Sequence, residues 1–187
     1  MPNVNPTAEC IIQMINSDQR MKRIICEVRD LHLPDCWIGA GFVRNKVWDV
    51  ITGKIETTCS EDIDVIYFDS GTTIEARDRE IEQILKRVNP HENWSVKNQA
   101  RMHVRNNDLP YHSSEHAIVH WPETATAIAV SINQQDQIQV IAPHGLDDLF
   151  SLTIKATPAF STKMKLFRLR QSEKNWQNKW PSLREDS

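Results

Sequence analysis

Apolar residues recur along the chain in two patterns, one with helical spacing and one typical of short buried strands. Helical spacing covers residues 7–31, interrupted by the polar run Asn16, Ser17 and Asp18, where a second helix could be capped. Pro34 follows and ends the second helix. We therefore predict an N-terminal helical pair that contributes an apolar stripe to the core.

Residues 37–69 change pattern several times and predict a strand, a glycine turn, a helix and a second strand. Trp37 begins the first strand, the turn lies at 39–41, and apolar positions predict a helix over 42–52 with Gly53 as its C-cap. The second strand carries Asp62 and Asp64. The remainder of the chain is organised around this unit.

The later segments predict further helices and strands in alternation. A helix is predicted over 72–88, capped by Thr72 or Thr73, followed by a strand over 94–104 and a short helix within 110–123. A strand over 124–133 and its antiparallel partner over 138–142 flank a turn. The basic tail beyond residue 160, with Trp176 and Trp180, predicts either a packed C-terminal helix or a nucleic-acid contact.

These elements predict an α/β (α+β) fold in which helices flank a mixed central sheet. The 187 residues, 40% hydrophobic and 25% charged, suffice for one domain over 1–187, with N-terminal helices (1–33), a catalytic core (37–155) and a tail (156–187). The net charge of -3 provides no global basic field. No C-x-x-C pair, apolar signal segment or membrane-length run occurs, so we expect a cytoplasmic protein without a membrane partner.

The candidate chemistry begins with the aspartate pair. Alternate residues of a strand share a face, so Asp62 and Asp64 should point the same way and repel each other unless a cation lies between them. Oxygen ligands suit a hard divalent ion such as Mg²⁺ or Mn²⁺. The alternative is an edge strand with a solvated acidic face.

The glycine turn suggests an anion site beside these acids. Gly39 and Gly41 allow backbone amides to approach a phosphate, and the following helix presents its N-terminus to an anion. Arg44 lies in the first turn of that helix, where a cation opposes the helix dipole and calls for an anionic partner. Alternatively, Arg44 pairs with Asp62 or Glu61.

One face of the predicted strand over 94–104 carries hydrogen-bond donors. Trp94, Val96 and Asn98 would share the opposite face. The donors suit an anionic ligand, although a solvated strand face would have the same composition; they are Lys97, Gln99, Arg101 and His103.

Five segments in this order resemble the nucleotidyltransferase superfamily that includes DNA polymerase β, and more closely a bacterial family of nucleotidyltransferase-like proteins. They are IGAGFVRNKVWD, DIDVIYFD, WSVKNQARMH, WPETATAIAV and IAPHGLDDLF. The resemblance implies a nucleotidyltransferase fold and a metal-dependent enzyme that moves a nucleoside monophosphate from a nucleoside triphosphate to a hydroxyl acceptor, releasing pyrophosphate. It implies that the turn of Gly39, Ala40 and Gly41 binds the nucleotide and that Asp62 and Asp64 bind Mg²⁺ or Mn²⁺. To these we add Arg44 and Asn45 for the nucleotide, and Asn98, Arg101 and His103 as possible ligand contacts.

The chain departs from the superfamily pattern at two places. Ala40 stands at the second position of the glycine turn, and the strand WSVKNQARMH lacks the expected third metal-binding carboxylate. We predict that Glu123, at the mouth of the strand TATAIAV, supplies that carboxylate, with Glu92 in reserve. The alternative function is a non-catalytic nucleotide- or nucleic-acid-binding module. The acceptor remains open among a small molecule, a protein side chain and RNA.

Overall fold

The protein is described here by a computed structural model over residues 6–186. Its helices are α1 (Ala8–Asn16), α2 (Gln19–Arg29), α3 (Gly41–Thr52), α4 (Glu75–Val88), α5 (Met102–Asn106), α6 (Ser114–Val119), α7 (Asp147–Phe150) and α8 (Met164–Lys174). Its strands are β1 (Trp37–Gly39), β2 (Ile63–Tyr67), β3 (Trp94–Asn98), β4 (Ala129–Ile132), β5 (Ile138–Ile141), β6 (Thr153–Ile154) and β7 (Arg184–Glu185). Short 3₁₀ turns include Gln99–Arg101, Thr124–Thr126 and Trp176–Asn178.

The five strands β1 to β5 form one mixed sheet in the order β3-β2-β1-β4-β5. The β2 and β3 strands are parallel, with α4 crossing between them, and the other neighbours are antiparallel. In the register of β1, Gly39 lies opposite Asp64 on one side and Ala129 on the other. The end of β1 therefore places the glycine turn directly beside the acidic strand. The predicted mixed α/β architecture is confirmed.

The N-terminal helical pair forms as predicted. Thr7 caps α1 by accepting a hydrogen bond from the amide of Cys10, and Asp18 caps α2 by accepting one from Met21. Both helices bury their apolar stripes, which contact β4 and β5. The stripe residues are Ile11, Ile15, Met21, Ile24, Ile25 and Val28.

Two predicted strands are shorter than expected because side chains and backbone groups turn the chain. β3 ends at Asn98, whose Oδ1 accepts a hydrogen bond from the amide of Ala100 and starts the turn into residues 99–106. β4 begins only at Ala129, because the amides of Thr126 and Ala127 donate to the carbonyl of Glu123. Local hydrogen bonds of this kind compete with a strand ladder.

The start of α4 also differs from the prediction. The helix begins at Glu75 after Ile74, and neither Thr72 nor Thr73 caps it. The carbonyl of Thr72 instead accepts a hydrogen bond from Nδ2 of Asn98. This bond holds residues 68–74 against the end of β3.

The C-terminal segment packs onto the core, so the first of the two predictions for the tail describes the fold. Trp180 is 1% exposed, and its ring lies 5.1 Å from that of Trp48 in an edge-to-face arrangement. Trp176 packs on the same indole at 5.6 Å. Strands β6 and β7 pair in parallel and fasten the end of the chain next to α7. No helix within residues 6–186 has the length and apolar character that crossing a membrane requires.

Candidate functional site

A cleft, called here the small cleft, opens where β1 leads into α3. It brings together residues from the glycine turn, from the first turn of α3 and from the acidic strand, as the sequence predicted. Those residues are Ala40, Gly41, Arg44, Asn45, Asp62 and Asp64. Gly39 lies one residue behind, where a Cβ would approach Trp121 to 2.6 Å. Glycine at 39 therefore makes room for an indole ring. The amide of Ala40 donates to the carbonyl of Ile128 at 3.0 Å, so it is not available to a phosphate.

Gly41 and Ser60 form the tightest part of the small cleft. A Cβ on Gly41 would lie 2.6 Å from the Ser60 hydroxyl oxygen, so this hydroxyl fills the space that a side chain at 41 would take. The Ser60 hydroxyl is buried and makes no hydrogen bond within the described residues. A buried polar atom without a partner is costly, so the Ser60 hydroxyl can form a hydrogen bond with a ligand or a water molecule in the cleft. The sequence pattern did not predict a role for Ser60. The available indication was that Ser60 lies in a polar loop over 54–61.

Arg44 is a buried cation that forms no ion pair within residues 6–186. It is 6% exposed and lies 5.0 Å and 4.2 Å from the ring centroids of Trp48 and Trp176. One terminal nitrogen donates to Oδ1 of Asn45, whereas its Nε has no partner in the part of the chain described. Burial lowers the pKa of Arg44 to about 10. The guanidinium therefore lacks the anion that would offset its desolvation.

The predicted alternative for Arg44, a pair with Asp62 or Glu61, is not formed. Glu61 pairs instead with Lys174 at 2.6 Å and with Lys179 at 3.9 Å. These contacts hold the C-terminal segment across the mouth of the small cleft.

Asp62 and Asp64 lie on the opposite wall of the small cleft. Asp64 belongs to β2, and Asp62 stands one residue before that strand. Neither carboxylate accepts a hydrogen bond or ion pair from another residue within 6–186. Burial, and then the charge of Asp62, raise the pKa of Asp64 to about 6. Because β2 is an inner strand of the sheet, the alternative of a solvated edge strand is wrong.

Glu123 does not join the aspartates, which corrects its predicted role as third metal ligand. Its carboxylate is fully buried and accepts hydrogen bonds from Arg170, Gln171 and Thr126. Among the described residues, no three His, Cys, Asp or Glu side chains form a metal-binding group. An ion pair and two neutral donors thus hold this buried carboxylate in a hydrogen-bond network of its own.

The reserve candidate Glu92 is also elsewhere. Its two oxygens bind Arg20 of α2, at 2.8 Å and 2.5 Å. This pair fastens the loop before β3 to the N-terminal helices. The acidic residues of the small cleft are thus Glu61, which pairs with lysines, and the aspartates Asp62 and Asp64.

The predicted ligand contacts Asn98, Arg101 and His103 do not line the small cleft, nor do they line the second cleft described below. Asn98 is fully buried and joins β3 to residues 69–72 by hydrogen bonds. Arg101 forms an ion pair with the buried Asp78, and His103 packs edge-to-face against Tyr111. Turning of the chain after Asn98 removed Arg101 and His103 from the strand face on which they were predicted, whereas Asn98 stays at the end of β3.

A second, larger depression, called here the large cleft, adjoins the small one. Ala40, Asp64 and Arg170 line both clefts and therefore mark their junction. The large cleft combines cations with aromatic and apolar side chains. Its other residues include Lys97, Gln99, Met102, Arg105, His120, Trp121 and Phe160.

The C-terminal segment supplies a wall of the small cleft that sequence analysis missed. Its basic character and its tryptophans were the available signal, but they did not show which residues would face the acids. The lining residues from this segment are Arg170, Lys174, Trp176, Lys179 and Trp180.

Comparison with known proteins places the chain among related sequences and folds. A family model described as Nucleotidyltransferase matches residues 26–184. An NMR structure described as revealing a CCA-adding enzyme head domain is 32% identical, with a TM-score of 0.87, and the match covers 99% of this chain and 98% of that one. No curated protein sequence matches the chain.

Two complete enzymes share the fold at lower identity. A Thermotoga maritima CCA-adding enzyme complexed with tRNA has a TM-score of 0.59, and a CCA-adding enzyme with CTP has one of 0.60; both are 13% identical. The matches cover 98% of this chain but only 43% and 44% of the two enzymes. The chain therefore spans less than half the length of these enzymes.

Proposed function

The chain belongs to the nucleotidyltransferase family, and we propose that it moves a nucleoside monophosphate from a nucleoside triphosphate to a hydroxyl acceptor, with a divalent metal ion, releasing pyrophosphate. The predicted resemblance and enzyme class are confirmed by the family match. One observation carries the finer proposal: the small cleft brings together donors on Arg44 and Ser60 and carboxylates on Asp62 and Asp64, and within residues 6–186 neither Nε of Arg44, the Ser60 hydroxyl nor either carboxylate has a hydrogen-bond partner.

Asp62 and Asp64 fit a divalent cation. Two neighbouring carboxylates that form no ion pair among the described residues, one of them largely buried, are stabilised by a hard cation such as Mg²⁺ or Mn²⁺. Mg²⁺ is often bound through one or two carboxylates plus substrate phosphates, so a third protein carboxylate is not required. When bound, the metal neutralises charge that develops on the transferring phosphoryl group.

The opposite wall fits the triphosphate. The first amides of α3 point toward an anion at the helix N-terminus, and the desolvated Arg44 adds a full positive charge there. The Ser60 hydroxyl supplies a donor beside Gly41, where the turn itself has no side chain. Lys174 and Lys179 also line this cleft, and among the described residues the one carboxylate with which they pair is that of the exposed Glu61. Together these groups bind and orient the phosphates that leave as pyrophosphate.

If the triphosphate occupies the small cleft, the acceptor binds in the large cleft. Attacking and leaving oxygens lie roughly in line in phosphoryl transfer, so an acceptor must approach from the side opposite the pyrophosphate. The large cleft lies beyond Asp64 and carries Lys97 and Arg105 together with Trp121 and Phe160. Cations beside aromatic rings suit phosphates and bases, which favours RNA over a cationic small molecule. The fold neighbours bound to tRNA and to CTP support the same choice.

Ligand-induced stabilisation tests the nucleotide site. A ligand that binds only the folded state at about 100 times its Kd stabilises by about 2.7 kcal/mol, so at least one of the four nucleoside triphosphates with Mg²⁺ or Mn²⁺ should raise the melting midpoint clearly. Asp62→Asn and Asp64→Asn should abolish the increment. Asp147→Asn, at an exposed site on α7, is the matched control. An unchanged midpoint with every triphosphate and both metals would contradict the proposal.

A non-catalytic nucleotide-binding module is the second candidate function. The observation that favours it is the lack of a third carboxylate beside Asp62 and Asp64 within residues 6–186. Both candidates bind a triphosphate, and they differ in whether the α-phosphate reaches an acceptor. Transfer of an α-phosphate label therefore separates them.

A further inference from the structure

Glu123 is the most completely engaged carboxylate near the site. It is 0% exposed, and its Oε1 accepts hydrogen bonds from Nε of Arg170 at 2.7 Å and from Nε2 of Gln171 at 2.8 Å. Its Oε2 accepts one from the Thr126 hydroxyl at 2.7 Å. A buried charge requires such partners, and here two of them come from adjacent residues of α8.

Arg170 uses only one edge of its guanidinium for this contact. Glu123 binds the Nε edge, and the terminal nitrogens donate to no other group among the described residues. The side chain remains 33% exposed. Arg170 is one of three residues that line both clefts; the other two are Ala40 and Asp64. The free end of a fixed cation therefore lies at the junction of the clefts.

We infer that Arg170 contacts the phosphate at the junction of the two clefts and that Glu123 is its positioning residue. The inference rests on the proposed function, which places the leaving pyrophosphate in the small cleft and the acceptor in the large one. The α-phosphate then lies between them, beside Arg170 and Asp64. Arginine suits this place because its terminal nitrogens bind phosphate oxygens in a fork.

The buried pair explains how a flexible side chain from the C-terminal helix is held ready. A long side chain loses rotamer freedom when it binds a ligand, and a prior hydrogen bond at Nε removes part of that loss. The carboxylate of Glu123 is shielded from water, so its attraction for the Arg170 guanidinium is weakly screened and holds that side chain in place before a ligand binds. In the transition state, the free guanidinium edge faces oxygens on which negative charge is distributed.

A double-variant experiment separates this role from a purely structural ion pair. The dissociation constants of the Mg²⁺-bound α,β-methylene analogues of the four ribonucleoside triphosphates are measured by calorimetry for wild type, Arg170→Gln, Glu123→Gln and the double variant. Arg170→Gln leaves a buried charge unpaired and lowers the melting midpoint, whereas the double variant removes both charges and regains part of it. We expect Arg170→Gln and the double variant to bind about tenfold or more weakly, because a charged hydrogen bond is lost in both.

Two controls complete the experiment. Arg168→Gln removes the same charge from an exposed position of α8 that lines neither cleft and should bind as wild type does. Arg170→Lys retains the charge without the fork and should bind with intermediate affinity. Wild-type affinity in the double variant would overturn the inference while leaving the proposed function intact. Failure of the wild type to bind any of the analogues would contradict the proposed function itself, and with it this inference.

Discussion

Trp180 donates its indole N–H to Asp49 over 2.8 Å, which joins the end of the chain to the middle of α3. The same carboxylate accepts hydrogen bonds from the amide of Thr58 at 2.6 Å and from its hydroxyl at 2.8 Å. One buried side chain therefore fixes two walls of the small cleft, the loop over 54–61 and the segment after α8, relative to the helix that begins at the glycine turn.

Replacing Asp49 should destabilise the protein markedly. Asp49→Ala leaves a buried indole N–H and the Thr58 donors without an acceptor, so we expect the free energy of unfolding to fall by about 3 kcal/mol. Asp49→Asn keeps one acceptor oxygen and should lose less. Urea denaturation measures both, with Asp147→Asn as the surface control. A loss below about 0.5 kcal/mol for Asp49→Ala would show that the three hydrogen bonds do not hold these walls.

Replacing Ala40 by glycine should stabilise the folded protein. Its backbone lies at φ 52° and ψ -122°, a region that residues with a Cβ rarely adopt. Removing the Cβ relieves this strain, and part of the gain is offset by the greater freedom of glycine in the unfolded chain. We expect Ala40→Gly to raise the free energy of unfolding by about 1 kcal/mol and to leave nucleotide binding intact. Denaturation and nucleotide titration check the two parts, and a destabilised variant would contradict the strain argument.

Asp64 should make stability depend on pH in a defined direction. Its pKa in the folded protein is raised to about 6 from the ordinary 3.8, by burial first and then by Asp62, so the folded state holds this proton more tightly than the unfolded chain. Ionisation of Asp64 therefore opposes folding increasingly as pH rises from about 4 to about 6, and the full penalty is present above that range. We expect Asp64→Asn to stabilise the metal-free protein by on the order of 1 kcal/mol at pH 7.5 and hardly at all near pH 4.

Chemical denaturation at the two pH values, in the presence of a chelator, measures this difference. Asp147→Asn is again the matched control because Asp147 is exposed. An equal effect of Asp64→Asn at both pH values would contradict the raised pKa. Destabilisation by Asp64→Asn at pH 7.5 would also contradict it, because removing an unfavourable buried charge should stabilise the folded state.

Asn98 should act on stability and not on ligand affinity. Its side chain donates to the carbonyls of Asp69 and Thr72 and accepts from the amides of Asp69 and Ala100. Asn98→Ala leaves several buried backbone groups unpaired and should lower the free energy of unfolding by about 3 kcal/mol. Nucleotide affinity of the folded fraction should be unchanged, and a selective loss of affinity at unchanged stability would restore Asn98 as a ligand contact.

The parts of the site that the sequence predicted lie close together in the chain. Hydrophobic spacing, Gly41 and the alternation around Asp64 define β1, α3 and β2, and antiparallel pairing of β1 with β2 brings the turn to the acids. Arg44 followed because the first turn of α3 carries it into the same cleft. Each of these predictions needs only local periodicity and the pairing of neighbouring strands.

The remaining parts depend on partners that are distant in sequence. An acid at the mouth of a strand was visible at Glu123, but Arg170, 47 residues later, decides that it is buried and paired. Ser60 belongs to the site because its hydroxyl lies beside Gly41, and the spacing of residues in the sequence does not predict this contact. The end of β3 depended on hydrogen bonds of Asn98 to residues 26 and 29 positions earlier. Side-chain contacts across the fold decided these features.

Transfer of the α-phosphate is the measurement that tests the central claim most directly. The protein is incubated with Mg²⁺ and each nucleoside triphosphate, labelled at either the α- or the γ-phosphate, together with separated RNA, protein and small-molecule fractions of a cell extract. The account predicts that α label enters an acceptor, preferably RNA, that γ label leaves as pyrophosphate, and that Asp62→Asn with Asp64→Asn abolishes both. Nucleotide binding without α-label transfer to any fraction, or transfer of γ label to an acceptor, would contradict it.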